Sequence, residues 1–139
     1  MTALGHSFSS VYEDRLMVES YIFRLSEHLF RKKIVIDTTA AGTADVPTAK
    51  LLVVGHNKAI ASIIAEYEKT KLTEAEDRYF KEFKQNIHDL DVLEAHYFQK
   101  LSDNEEAAAV KDLISTEFNS ASINLGQLSS IQILEGRLM

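Results

Sequence analysis

The sequence predicts an all-α fold: an antiparallel up-down-up-down four-helix bundle forming a single domain over residues 1–139. Three observations predict it. Apolar residues recur at alternating three- and four-residue spacing through four long stretches. Each of the three interruptions carries the residue types that end one helix and start the next. No stretch shows the period-two alternation of a strand. With 45% hydrophobic residues, five glycines and a single proline, the composition is that of a folded helical chain, and 139 residues can bury a core without a disulfide or a metal.

The first helix, about residues 4–37, places Phe8, Val11, Val18, Ile22, Leu25, Leu29 and Ile36 on one seam. Beside it runs a second apolar stripe, Tyr12, Leu16, Phe23 and Phe30. A helix in a lone bundle needs one apolar face of modest width. The surplus therefore predicts either a generously buried helix or a homodimer that packs through helix one. RKK at 31–33 reads as a solvated helix face. The helix ends in TTAAGTADVP, where Gly42 discourages continuation while Asp45 and Pro47 suit the first turn of the next helix.

The second helix, about 46–70, repeats the spacing through Val46, Ala49, Val53, His56, Ile60, Ile63 and Tyr67. KLTEAED then turns the chain, because Thr73 followed three residues later by Glu76 is a capping box, each side chain satisfying a backbone amide of the other. The third helix, about 73–101, carries Phe80, Phe83, Ile87, Leu90, Glu94, Tyr97 and Leu101. In SDNEE, Ser102 and Glu105 read as a second capping box. The fourth helix, about 103–138, runs through Val110, Ile114, Phe118, Ala121, Leu125, Leu128, Ile131 and Leu138. Short corners make successive helices antiparallel neighbours. Both chain ends and KLTEAED then share one pole, with the Gly42 loop and SDNEE at the other.

A net charge of −6 and one short basic run predict no nucleic-acid partner and no attraction to an anionic membrane surface. The absence of cysteine removes disulfides, thiolate catalysis and Cys-based zinc sites. A di-iron centre in a bundle needs Glu-x-x-His pairs. The residues three before His6, His28, His56, His88 and His96 are Ala3, Leu25, Val53, Gln85 and Leu93, so that motif is missing and no metal or other cofactor is expected. No glycine-rich phosphate loop and no nucleophile elbow is present. The chain reads as a non-enzyme, with no catalytic residues.

A set of polar residues also falls on the seams: Arg15, His56, Glu94 and Glu117. Counted from the corners, Ser26, His56, Asp89 or Leu90, and Glu117 fall at one level, which puts His56 and Glu117 within pairing reach. In one reading these residues satisfy one another and fix helix register at a cost in stability. In the other, the pole far from the termini binds a small molecule, with Arg24, Arg31 and Lys111 facing a carboxylate or similar anion and His56 and Glu117 completing the ligand-binding set.

VYEDRL, KLTEAED, KLSDNEEAA and QLSSIQ together resemble the four-helix-bundle sensor domain of methyl-accepting chemotaxis proteins. Tyr12, Arg15 and Leu16 match its early Tyr-x-x-Arg-Leu element; Leu72, Thr73 and Glu76 match Leu-Thr-x-x-Glu; Leu128 and Gln132 match the closing Leu-x-x-x-Gln. Asn104 and Ala107 to Ala109 approximate the third element without its Gly-Asp pair. The resemblance spans nearly the whole chain. It implies an extracytoplasmic, periplasmic ligand-sensing domain of an inner-membrane receptor, signalling by small helix shifts into flanking membrane spans. The rival from another class is a structural or protein-interaction bundle with no small-molecule ligand. No run approaches the ~18 apolar residues of a membrane span, and the chain opens and closes in mid-pattern, as though longer helices had been cut.

Overall fold

The computed structural model describes the backbone of residues 3–137 and the side chains of residues 15–134. Four helices run in chain order: α1 (Ala3–Ala40), α2 (Val46–Glu68), α3 (Glu74–Gln99) and α4 (Asn104–Arg137), with no strand among the described residues. At 1.5 Å per residue α1 is about 57 Å long.

The corners form for local reasons. Past Ala40 the backbone turns left-handed at Gly42, φ 76°, a conformation that glycine adopts without a Cβ penalty. There the Gly42 amide donates to the Thr39 carbonyl at 3.0 Å and the Thr43 amide to the Thr38 carbonyl at 3.1 Å, closing a Schellman motif. α1 thus runs one turn beyond its expected end. Asp45 caps α2, accepting from the Thr48 amide at 3.1 Å, and Pro47 occupies the first turn, where a missing N–H leaves nothing unpaired. The capping box at Thr73 and Glu76 forms as expected, with amide-to-side-chain distances of 3.2 and 3.3 Å.

The last corner corrects the sequence reading by one residue. Asp103, not Ser102, caps α4: its carboxylate accepts from the Glu106 amide at 3.2 Å and its carbonyl from the Ala107 amide at 2.9 Å. Both Ser102-x-x-Glu105 and Asp103-x-x-Glu106 fit the capping pattern, and a carboxylate is the stronger acceptor for an amide at a helix start.

α1 packs beside α2 and α4, and α3 lies close along α4. α2 and α3 touch over the shortest stretch, near their own corner, where Tyr67 stacks on Phe80 at 4.4 Å and Lys84 pairs with Glu68 at 2.9 Å. The diagonals are α1 with α3 and α2 with α4. Leu25 and Leu29, Ile60 and Ile63, Phe80, Phe83 and Leu90, and Ala121 and Leu128 fill the interior. Each fully buried aliphatic or Phe side chain contributes about 1.5–3 kcal/mol over its exposed state.

Several seam assignments shift. Val46 is exposed, and Ile131 is half-buried because Gln132, one position on, takes its place inside. Lys32, read from RKK as solvated, is buried. Leu16, Phe23 and Phe30 are 50%, 69% and 59% exposed, so the second stripe of α1 faces outward and the reading of a generously buried helix does not hold. Phe8, Val11, Tyr12 and Leu138 lie outside the described side chains.

Candidate functional site

Two polar layers cross the core on the α1–α3 diagonal. In the first, Lys32 Nζ donates to Glu94 Oε1 at 2.9 Å and to Asn57 Oδ1 of α2 at 2.7 Å, with Glu94 Oε2 also at 2.9 Å and Asp91 Oδ1 at 3.8 Å. Lys32 and Glu94 are 2% and 3% exposed, so neither charge has water to fall back on. Burial pushes the Glu94 carboxyl above the ordinary range even though Lys32 pulls it down, and burial raises Asp91 in the same way. In the second layer, Arg15 Nη1 donates to Glu76 Oε1 at 3.0 Å and to Gln132 Oε1 at 2.7 Å, and Gln132 Nε2 donates to Glu76 Oε2 at 2.7 Å. Glu76 therefore both closes its capping box and anchors a triad across three helices. That contact brings the start of α3, the Arg15 turn of α1 and the Gln132 turn of α4 to the same pole.

Glu94 is buried and Arg15 partly buried on their seams, but the sequence reading pairs neither with its partner. It marks Glu76 only as half of a capping box and Gln132 only as part of the closing motif, takes Lys32 as solvated and does not single out Asn57. The signal for Lys32 was its spacing, three after Leu29 and four before Ile36, which puts it on the seam. The neighbouring Arg31 and Lys33 disguised it. Gln132 likewise lies four after the buried Leu128.

His56 and Glu117 do not pair. α2 and α4 are diagonal, and His56 turns to α1, where its Nδ1 stands 2.9 Å from Nδ1 of His28. Glu117 instead accepts from Asn86 Nδ2 at 3.2 Å, and Asn86 Oδ1 accepts from Asn124 at 2.7 Å, a polar ladder between α3 and α4. Ser26 is exposed, Asp89 is half-buried and Leu90 belongs to the core.

At the pole of the Gly42 loop and the α3–α4 corner lies a cleft of about 500 Å³, lined by Thr39, Ala40, Gly42, Tyr97, Leu101, Asn104, Ala107, Ala108 and Lys111. Lys111 bridges α4 to α1 through Asp37 Oδ1 at 3.3 Å, and Lys33 holds Asp37 Oδ2 at 3.0 Å. Burial alone would raise the Asp37 carboxyl; the two lysines together outweigh it and hold the group below the usual carboxylate range. Tyr97 is buried on the inner wall of the cleft. Burial, then the charge of Asp37, pushes its hydroxyl above the ordinary value, so it stays a proton donor at neutral pH. Of the five residues expected to bind a ligand, only Lys111 lines this cleft. Arg24 and Arg31 are exposed along α1, Arg31 paired with Glu27 at 2.7 Å, and His56 and Glu117 are engaged as above. Among the described residues no group of three or more His, Cys, Asp or Glu is placed to hold a metal ion, and no helix is long and apolar enough to cross a membrane.

The two terminal helices, α1 and α4, both run from the polar cleft at one pole to a shared pole at the other. A family model described as a four helix bundle sensory module for signal transduction matches residues 1–133, and the chain belongs to that family. No curated protein and no solved structure matches it.

Proposed function

We propose that this sensory module is the extracytoplasmic, periplasmic domain of a chemoreceptor-like membrane protein, that it works as a homodimer through α1, and that it takes a small anionic ligand in the far-pole cleft. The observation that carries the reading is the bridge in that cleft: Lys111 of α4 is held by Asp37 of α1, within the electrostatic reach of the Tyr97 hydroxyl. An incoming carboxylate competes with Asp37 for Lys111 and accepts from Tyr97. It thereby alters the link between the two helices whose far ends share the opposite pole. Packed helices shift by ~1–2 Å as units, and the ligand biases that equilibrium by its difference in affinity for the two packings. In the full receptor, membrane spans continuing from α1 and α4 would carry the shift onward.

A thermal-shift screen against organic acids and amino acids tests this. A ligand at a hundred times its Kd adds about 2.7 kcal/mol to stability. Lys111→Ala is expected to abolish the shift, while Arg24→Ala and Arg31→Ala preserve it. Loss of the shift in the arginine variants alone would move the ligand to the outer face of α1. The rival, a structural bundle without a ligand, is favoured by the buried layers, which fix register whether or not anything binds. It is the outcome if no compound in the screen moves the melting temperature.

A further inference from the structure

Near the middle of the bundle two imidazoles meet head to head. His28 of α1 and His56 of α2 bring Nδ1 to Nδ1 at 2.9 Å with ring centroids 5.2 Å apart. Half the difference between those distances is about 1.15 Å, the centre-to-nitrogen radius of an imidazole. Each Nδ1 therefore points along the line joining the rings and straight at the other. Two nitrogens ligating one metal ion at this 2.9 Å separation would point at a third site and not at each other, and would draw the centroids closer than 5.2 Å. The arrangement is that of a hydrogen bond, and it requires one Nδ1 to carry a hydrogen while the other offers its lone pair.

That requirement fixes the proton count. Two neutral imidazoles satisfy it through opposite tautomers. One imidazolium and one imidazole satisfy it more strongly, as a charge-assisted bond. Two imidazolium rings cannot, since both nitrogens then carry hydrogens and like charge. The surroundings favour the lower counts. Arg31 and Lys32 on α1 present positive charge to the pair; α3 brings Asp91 and Glu94, but to the Lys32 ammonium, and α2 contributes the neutral Asn57. Burial, then the charges of His28, Arg31 and Lys32, hold the His56 imidazole below its ordinary 6.5.

We propose that the His28–His56 pair is a proton-operated latch between α1 and α2, closed while the pair lacks its last proton and open when both rings are charged. The latch stands apart from the ligand cleft and does not depend on it. Its direction is set by the surroundings. A histidine whose folded value is depressed stabilises the fold above its unfolded value, and that contribution is lost as the pH falls from about 6.5 through the folded one. Because Lys32, in the next helical turn, is the hub of a buried layer, opening the latch loosens α2 on α1 beside the Asn57 contact.

The chain has no cysteine, so spin labels placed by Ser20→Cys on α1 and Ser62→Cys on α2, both exposed and about two turns from the pair toward the pole of the chain ends, report the α1–α2 separation cleanly. The whole domain is titrated from pH 8 to pH 4.5 while the imidazole resonances are followed by NMR. The expected result is two histidine steps split by about one pH unit or more, with the label distance broadening only at the lower step. His28→Gln and His56→Gln are each expected to remove that structural step. Independent, unsplit titration of the two rings, a label distance that stays constant while both rings charge, or an unchanged step in either Gln variant would overturn the proposal. The first two readouts need no histidine variant to fold.

Discussion

Lys32 and Glu94 show how much one side chain depends on its partner once both leave water. Removing one member of a buried pair strands the other charge, which costs about 3–5 kcal/mol, whereas replacing both with apolar groups of similar volume is neutral or stabilising by about 1–4 kcal/mol. Lys32→Met is accordingly expected to lose about 3–5 kcal/mol in urea unfolding at pH 7, and Lys32→Met with Glu94→Leu to recover all of it. The single variant carries a pH signature as well. Glu94 already titrates above its ordinary 4.5, and without Lys32 it rises further. The folded state then takes up the proton more readily than the unfolded one, so the deficit shrinks as the pH falls through the folded value toward the ordinary 4.5 of the unfolded chain. A deficit that grows on mild acidification would contradict this account. The sequence disclosed Glu94 and Arg15 because a charge stood alone where Leu or Ile was due. It concealed Lys32 because flanking cations made the run look solvated, and it concealed the His28–His56 contact because no spacing rule reports which of two neighbouring helices a half-buried side chain will face.

At the scale of the helices, stop and start signals decide where each begins, and these were the most legible part of the sequence. Gly42, Asp45 with Pro47, and Thr73 with Glu76 each act locally, so a short window contains all the physics. The α4 cap was misread because two overlapping frames satisfied the same pattern. The structure turns that ambiguity into a measurement: Asp103→Ala is expected to cost about 1 kcal/mol, comparable to Thr73→Ala, while Ser102→Ala stays within about 0.5 kcal/mol. Gly42→Ala is expected to cost about 1 kcal/mol, because its φ of 76° penalises any Cβ although the space around it is open. Chemical denaturation of the four variants side by side checks both statements.

For the molecule as a whole, the antiparallel bundle followed from four seams and three corners, but the outward face of α1 did not. Whether Leu16, Phe23 and Phe30 lie inside or outside depends on the rotation of a long helix against two neighbours, which drifts by a fraction of a residue per turn. With the stripe outward, Phe23→Asp with Phe30→Asp is expected to convert a concentration-dependent dimer into a monomer of unchanged helix content, read by sedimentation and circular dichroism. A wild-type chain that sediments as a monomer at high concentration would remove the dimer from the proposed function.

The two ion pairs on the α1–α3 diagonal have a mechanical corollary. Arg15–Glu76 and Lys32–Glu94 are about five turns apart on both helices, roughly 26 Å, and the two helices run in the same direction. They act like two rungs of one ladder. A piston stroke of α1 alone would have to snap both rungs at once, so any axial displacement must carry α3 along and be taken up as sliding against the antiparallel rails, α2 and α4.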